Sequence, residues 1–164
     1  MPIDPQACLS VDPDIDLHNP DQRCELSNTH GVVLAVIAVG GALGALARYG
    51  LTLAWPAPAG GFPWAVFTIN VAGSFLLGVL MVMITEIRPA HPLVRPFLGV
   101  GVLGGFTTFS TYAEDIRALL DPDTVVVAAV YLVATLVVAL LATTAGVLLA
   151  RAAAARFARV EVAS

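Results

Sequence analysis

The sequence has little charge. Asp, Glu, Lys and Arg make up 12% of its 164 residues, while 58% are hydrophobic; ordinary soluble domains are roughly 25% charged. Charge is absent from three long segments, residues 49–85, 96–113 and 124–150. A bilayer-spanning helix needs about 20 mostly apolar residues, and a soluble domain of this size could not bury so much apolar surface. The sequence therefore predicts an all-α integral membrane protein.

Lysine is absent, and cysteine and histidine are rare. The eight basic residues are all arginine, and the formal net charge is −4, which argues against a nucleic-acid partner because such partners need basic surfaces. Cys8 and Cys24 lack the paired spacing of a metal site. The three histidines lie in the amino-terminal tail or in a loop. Without a visible catalytic combination of side chains, we do not expect an enzyme.

Four spans and two tails are predicted. Residues 1–30 contain six of the twelve acidic residues, lack the pattern of a signal peptide, and are expected to form a disordered, acidic cytoplasmic extension. A basic tail, residues 151–164, ends the sequence. Connections rich in proline and glycine separate the four predicted transmembrane helices, which cover about residues 31–54, 62–85, 96–120 and 124–150.

The third span has an unusual centre. Residues 104–111 read GGFTTFST, so that four hydroxyl side chains follow two glycines. A helix facing lipid would not be built in this way. Non-helical backbone survives at membrane depth only where protein or a water-filled path covers it. The segment therefore predicts a third helix that is broken near mid-membrane.

An uncharged span also contains Asn70. It shares one helix face with Ser74, four residues later. Burying an amide is costly unless it finds a partner, so Asn70 either bonds to another helix or faces a polar path.

Phe109 and Tyr112 are three residues apart, so a helix that resumes at the break would place both rings on one side. Aromatic rings have positive edges, and this pair either packs in the protein or receives an anion. The neighbouring hydroxyls of Ser110 and Thr111 favour the second interpretation, because hydroxyls donate to anions.

Residues 104–111 resemble the signature of the CrcB/Fluc fluoride channels, whose third-span break commonly reads GGFTTFSTF. Residues 40–49, with paired glycines and Arg48, resemble that family's first helix. Residues 69–78, INVAGSFLLG, are similar to its second helix. The three motifs occur in order, and the resemblance covers about residues 32–149.

The resemblance implies a fluoride-selective channel subunit in the cell membrane, through which cytoplasmic fluoride leaves passively so that its toxicity falls. It also implies an antiparallel, dual-topology dimer with two pores. The backbone carbonyls of Gly104 and Thr107 would bind a structural Na⁺ at the dimer interface, and Arg48 would lie at a vestibule or membrane boundary. The expected fluoride path comprises Asn70, Phe109, Ser110, Thr111, Tyr112, Tyr131 and Thr135.

Three positions depart from the family pattern. Tyr112 replaces the usual second phenylalanine, Ala113 replaces the serine that follows it, and Ala139 occupies the third position of the polar track on the fourth span.

The arginines are distributed unevenly between the two sides of the membrane. Arg48 and Arg117 lie on one side, and the other six lie on the side shared by both termini and the middle connection. The positive-inside rule therefore places both termini in the cytoplasm. Because insertion in both directions needs a balanced count, the bias favours dimerisation with an oppositely oriented paralogue; a dimer with itself is the plainer alternative.

Two other functions are compatible with a small four-span protein. A small multidrug-type, proton-coupled exporter usually needs a carboxylate inside a span, whereas the acidic residues here lie near span ends. A non-conducting partner subunit of a heterodimeric fluoride channel is the other alternative.

Overall fold

The computed structural model describes residues 31–87 and 91–163, and within them it contains helices and no strand. The expectations for the tail at residues 1–30, and for Arg88 in the middle connection, lie outside the described residues. The helices, in chain order, are α1 (Gly31–Ala54), α2 (Trp64–Val82, continued by the π-helical turn Met83–Ile87), α3 (Arg95–Leu103 with the further turn Gly104–Phe106), α4 (Ser110–Ala118) and α5 (Val125–Ala163).

Prolines and glycines set the boundary between α1 and α2. After Ala54 the chain reads Trp55-Pro56-Ala57-Pro58, and proline cannot continue a helix because it lacks an N–H. Gly60 then adopts a φ of 68°, a backbone conformation that glycine reaches without steric cost. Pro63 precedes the first turn of α2 and accepts a hydrogen bond from the Phe67 N–H at 3.1 Å.

Two stretches of backbone are wider than an α-helix. Residues Met83–Ile87, directly after α2, and Arg95–Leu103, the first part of α3, are π-helical. Such i→i+5 hydrogen bonding is rare and is most often found at functional sites. In α3 it leads directly to the segment that the sequence predicts to be broken.

Three helices are long and apolar enough to cross a membrane: Gly31–Ala54, Trp64–Glu86 and Val125–Arg156. The residues of the predicted third span form two shorter helices, α3 and α4, which are separated by Thr107, Thr108 and Phe109. The prediction of an all-helical protein with several membrane-spanning helices is thus confirmed, with three candidate spans in the described residues.

The helices pack in two close pairs, α1 against α3 and α2 against α5. Glycines lie at both contacts. A Cβ atom added to Gly44 of α1 would overlap the Val102 carbonyl oxygen of α3, and one added to Gly146 of α5 would overlap the Phe75 carbonyl oxygen of α2. Small residues let helix backbones approach closely in lipid, where van der Waals packing drives association.

The pairs leave much apolar surface uncovered. Leu46 of α1 and Leu140 of α5 are 66% and 71% exposed, whereas the compact core is small and centred on Val66, Tyr112 and Tyr131. Apolar patches of this extent mark surfaces that contact lipid or another protein.

Helix α5 extends beyond the predicted fourth span. Its 39 residues measure roughly 58 Å at 1.5 Å per residue, nearly twice the ~30 Å hydrocarbon thickness of a bilayer. Near the predicted end of the span, Arg151 binds Glu86 with both Nε and an Nη atom, the shortest contact being 2.6 Å. This exposed ion pair joins α5 to the turn that follows α2.

The glycine contact predicts a difference between two substitutions in α1. Gly44→Ala should lower the free energy of unfolding by about 1–3 kcal/mol, because overfilled contacts force the backbone to move. Gly50→Ala is the matched control, since nothing lies within 4 Å of its added Cβ, and alanine favours a helix. Thermal unfolding in detergent compares them; equal midpoints would contradict the close α1–α3 contact.

Candidate functional site

A groove of about 470 Å³ opens between α2, the interrupted α3–α4 segment and α5. Its wall is mainly apolar, with a few side-chain amide and hydroxyl groups. The lining residues are Asn70, Gly73, Ser74, Leu77, Gly99, Leu103, Gly104, Thr107, Thr108, Phe109, Tyr112, Thr135, Leu136, Ala139, Leu140 and Thr143.

Helical hydrogen bonding stops at Thr107. Its N–H and its hydroxyl both donate to the Leu103 carbonyl, at 3.0 and 2.9 Å. Its backbone then becomes extended, with φ −75° and ψ 158°. The next backbone groups therefore need partners other than the preceding helical turn.

Asn70 supplies two of these partners from α2. Its side-chain N–H donates to the Thr108 carbonyl at 2.9 Å, and its side-chain oxygen accepts the Thr108 N–H at 2.9 Å. In a continuous α-helix the Thr108 N–H would donate to the Gly104 carbonyl, four residues earlier. Two hydrogen bonds from α2 therefore take the place of the hydrogen bonds that the Thr108 backbone would make within a continuous helix.

Arg48 contacts the same interruption from α1. Its Nε donates to the Gly105 carbonyl at 3.2 Å. In a continuous helix this carbonyl would accept the N–H of Phe109. Side chains from two different helices thus satisfy backbone groups at the end of α3, and Arg48, a partly buried residue, lies beside the interruption.

Hydroxyl groups organise the start of α4. The Thr108 hydroxyl oxygen accepts the Thr111 N–H at 3.2 Å, as a capping side chain does. The Thr108 hydroxyl also donates to the Thr111 hydroxyl at 3.2 Å and lies 3.3 Å from the Ser110 hydroxyl. A hydroxyl has one hydrogen, so Ser110 donates to Thr108. Ser110 and Thr111, both predicted path residues, are not among the lining residues.

The two aromatic rings predicted to form a pair do lie together. The ring centroids of Phe109 and Tyr112 are 5.9 Å apart, and the ring planes are inclined by 51°. Phe109 is 77% exposed and Tyr112 only 5%. The Tyr112 hydroxyl donates to the Leu132 carbonyl of α5 at 2.8 Å, so Tyr112 contributes its ring to the groove while its hydroxyl is bonded elsewhere.

Tyr131 and Thr135 of α5 occupy different positions. Thr135 lines the groove, and its hydroxyl donates to the Tyr131 carbonyl at 2.7 Å. Tyr131 is fully buried, does not line the groove, and donates from its hydroxyl to the Asp115 carboxylate at 3.2 Å. Its ring centroid lies 5.2 Å from that of Tyr112, so Tyr131 supports the ring that forms the wall.

The groove also contains polar residues outside the predicted path. Ser74 lies one turn after Asn70 on α2, and Thr143 lies on α5. The spacing of Thr135, Ala139 and Thr143, each four residues after the last, places them on one helix face. This four-residue spacing is the sequence pattern from which Thr143 could have been predicted to lie in the groove.

Comparisons with known proteins cover the region that forms the groove. The family model described as "CrcB-like protein, Camphor Resistance (CrcB)" matches residues 35–147. The chain is 58% identical over 107 residues to "Fluoride-specific ion channel FluC 1" of Streptomyces coelicolor, covering 65% of this chain and 70% of that protein.

Two further relatives give similar values. "Fluoride-specific ion channel FluC 2" of Streptomyces avermitilis is 51% identical over 125 residues, which cover 76% of this chain and 79% of the relative. The protein of the same name from Nocardia farcinica is 53% identical over 107 residues, covering 65% of this chain and 76% of the relative.

The buried tyrosine leads to a prediction about stability. Tyr112→Phe keeps the ring but removes the hydrogen bond to Leu132, and should lower the free energy of unfolding by about 1 kcal/mol. Tyr49→Phe is the matched control because Tyr49 is exposed on α1. Chemical unfolding in detergent gives both values, and a Tyr112→Phe protein as stable as the control would show that the bond contributes nothing.

Proposed function

The chain belongs to the CrcB family, and on this basis we propose that it is a subunit of a fluoride-selective channel that lets cytoplasmic fluoride leave the cell passively. The named relatives are fluoride-specific ion channels and align over most of the membrane segment. The observation that carries the proposal is the groove, where a side-chain amide, two aromatic rings and a few hydroxyl groups lie on a mainly apolar wall.

The chemistry of the groove suits a small, strongly hydrated anion. Such an ion gives up water only if the pore offers replacement donors, and conduction requires that it is not bound too deeply. A fixed cation in the groove would hold it too strongly. Arg48 bonds to Gly105 at the interruption, but it is not among the residues that line the groove, and none of those is charged. Neutral donors of partial charge meet both requirements.

Asn70 provides the amide donor. Its NH₂ group has two hydrogens, and one of them is used by the Thr108 carbonyl. The second can donate to an anion in the groove. Because the first bond holds the amide against the interruption, the second N–H is already oriented before the ion arrives.

The aromatic pair provides further donors through its ring edges, which carry partial positive charge. Phe109 is exposed in the groove, while Tyr112 is held by its bond to Leu132. The hydroxyls of Thr107 and Thr135 donate to the carbonyls of Leu103 and Tyr131. The amide and the ring edges are therefore donors that these internal bonds do not use, whereas Ser110, Thr111 and Tyr131 are not among the residues that line the groove.

Four membrane crossings per subunit complete the proposed topology. The third consists of α3 and α4 with the interruption near mid-membrane, where the protein covers the non-helical backbone. Both termini are cytoplasmic by the arginine distribution. Exposed leucines such as Leu46 and Leu140 then contact lipid or the second subunit of an antiparallel, dual-topology dimer.

A structural Na⁺ fits the carbonyl groups at the interruption. The Gly104 carbonyl has lost its usual helical donor, since the Thr108 N–H donates to Asn70. The extended backbone of Thr107 turns its carbonyl away from the helical direction. Carbonyl oxygens suit a hard cation. The carbonyl oxygens of Gly104 and Thr107 would hold the ion, which would supply a positive charge to stabilise this non-helical backbone.

Fluoride efflux from liposomes tests the proposed function. The wild-type protein, reconstituted alone and together with an oppositely oriented paralogue, should release loaded fluoride in at least one of these samples when a potassium ionophore balances charge, and chloride should not leave. Phe109→Ala should reduce fluoride efflux at least tenfold, because the exposed ring edge is lost. Thr144→Val is the matched control, since this exposed hydroxyl bonds only to the Leu140 carbonyl of its own helix.

Three outcomes would contradict this function. Normal efflux from Phe109→Ala would remove the aromatic pair from the path. Efflux that depends on an imposed proton gradient would indicate a coupled exporter. If efflux appears only after a paralogue is added, and Phe109→Ala leaves the efflux of that mixture unchanged, the chain would be a non-conducting partner subunit.

The arginine distribution predicts one fixed orientation. A reporter that is active only in the cytoplasm should work when fused to the carboxyl terminus, and a reporter that is active only outside should not. The reason is that six of the eight arginines lie on the side shared by the termini and the middle connection, and this side is expected to be cytoplasmic. The dimer partner is then an oppositely oriented paralogue. Equal signals from cytoplasmic and external reporters would instead support insertion in both directions and a dimer of identical chains.

A further inference from the structure

Both the nitrogen and the oxygen of the Asn70 side-chain amide are hydrogen-bonded to the backbone of Thr108. Its oxygen accepts the Thr108 N–H at 2.9 Å, and its nitrogen donates to the Thr108 carbonyl at 2.9 Å. A pore amide that only contacted the ion would need neither bond. The pairing fixes the backbone of Thr108 relative to α2.

The bond accepted by Asn70 determines what the Gly104 carbonyl can do. In a continuous α-helix the N–H of residue 108 donates to the carbonyl of residue 104. Because the Asn70 oxygen takes this N–H, the Gly104 carbonyl loses that donor. The extended backbone of Thr107 turns the Thr108 N–H away from the helical direction, and Asn70 holds this N–H there by accepting it.

Close packing at Gly73 supports the same geometry. Gly73 lies three residues after Asn70, and a Cβ added to it would overlap the Thr107 side-chain methyl group. Helix α2 therefore approaches the interruption closely enough for the Asn70 amide to reach the backbone. Both residues on this face of α2 contact adjacent residues of the interruption.

We propose that Asn70 is a positioning residue for the cation at the interruption, holding the Gly104 carbonyl available by accepting the Thr108 N–H. This rests on the proposed function, in which the carbonyls of Gly104 and Thr107 bind Na⁺. The fluoride path and the cation then share one side chain: the same amide offers its second N–H to the anion and keeps the cation ligand free.

Sodium-dependent stability tests the proposal without measuring flux. The unfolding midpoint of the detergent-purified protein is compared in sodium chloride and in N-methylglucamine chloride at equal ionic strength. A ligand that binds only the folded state raises the midpoint. The wild-type protein and Thr144→Val should both show a higher midpoint in sodium. Asn70→Leu, which is similar in size but cannot accept the Thr108 N–H, should lose this sodium-dependent shift.

Asn70→Ser serves as a second variant if Asn70→Leu does not fold, because its shorter side chain cannot span to Thr108. Circular dichroism establishes that each variant is helical before the midpoint is used. Equilibrium dialysis with radioactive sodium provides a direct second measurement, in which the folded variants should retain less sodium than the wild-type protein.

The outcomes distinguish two roles of Asn70: positioning the Gly104 carbonyl for the cation, and contacting fluoride alone. A folded Asn70 variant that loses fluoride efflux but keeps the wild-type sodium shift would overturn the proposal, because the amide would then act on the anion alone. A wild-type protein with no sodium shift would overturn it as well. Fluoride efflux by the wild-type protein, measured on the same preparation, decides the proposed function independently of either result.

Discussion

The structure depends on how backbone groups are satisfied where the helix between α3 and α4 is interrupted. In a low-dielectric environment an unpaired N–H or carbonyl is costly, so an interruption persists only if other groups bond to it. Asn70 bonds to both backbone groups of Thr108, and Arg48 donates to the Gly105 carbonyl. These two side chains belong to α2 and α1, so the interruption is a property of three packed helices.

The glycine contacts make these bonds possible. Hydrogen bonds near 3 Å between helices require backbones that approach closely, and any Cβ at Gly44 or Gly73 would occupy the space needed. The same closeness places the groove between α2, α4 and α5, where the Tyr112 hydroxyl and the Tyr131 hydroxyl bond away from the opening. The wall carries no charged side chain, and aromatic rings, one amide and several hydroxyl groups lie on it.

The sequence allowed much of the fold and part of the site to be predicted. Uncharged runs indicated an all-helical protein with membrane-spanning helices, which the three long apolar helices confirm. The π-helical first part of α3 was not predicted, because hydropathy does not distinguish i→i+5 from i→i+4 bonding. For Asn70, helix periodicity left open a bond to another helix and a polar path; the structure shows the bonds to Thr108, and the fluoride path stays a prediction.

The amino-acid sequence by itself determined that the chain is helical and suited to lipid, because a soluble domain of this size could not bury such long uncharged, apolar segments. Its motifs also showed the resemblance to a family. Only the tertiary structure decided which polar groups meet. Whether the hydroxyl of Tyr112 or Thr135 faces a groove or bonds to a neighbouring carbonyl depends on side chains distant in sequence. Hydrogen bonds act over about 3 Å, so their partners are fixed only when the helices have packed.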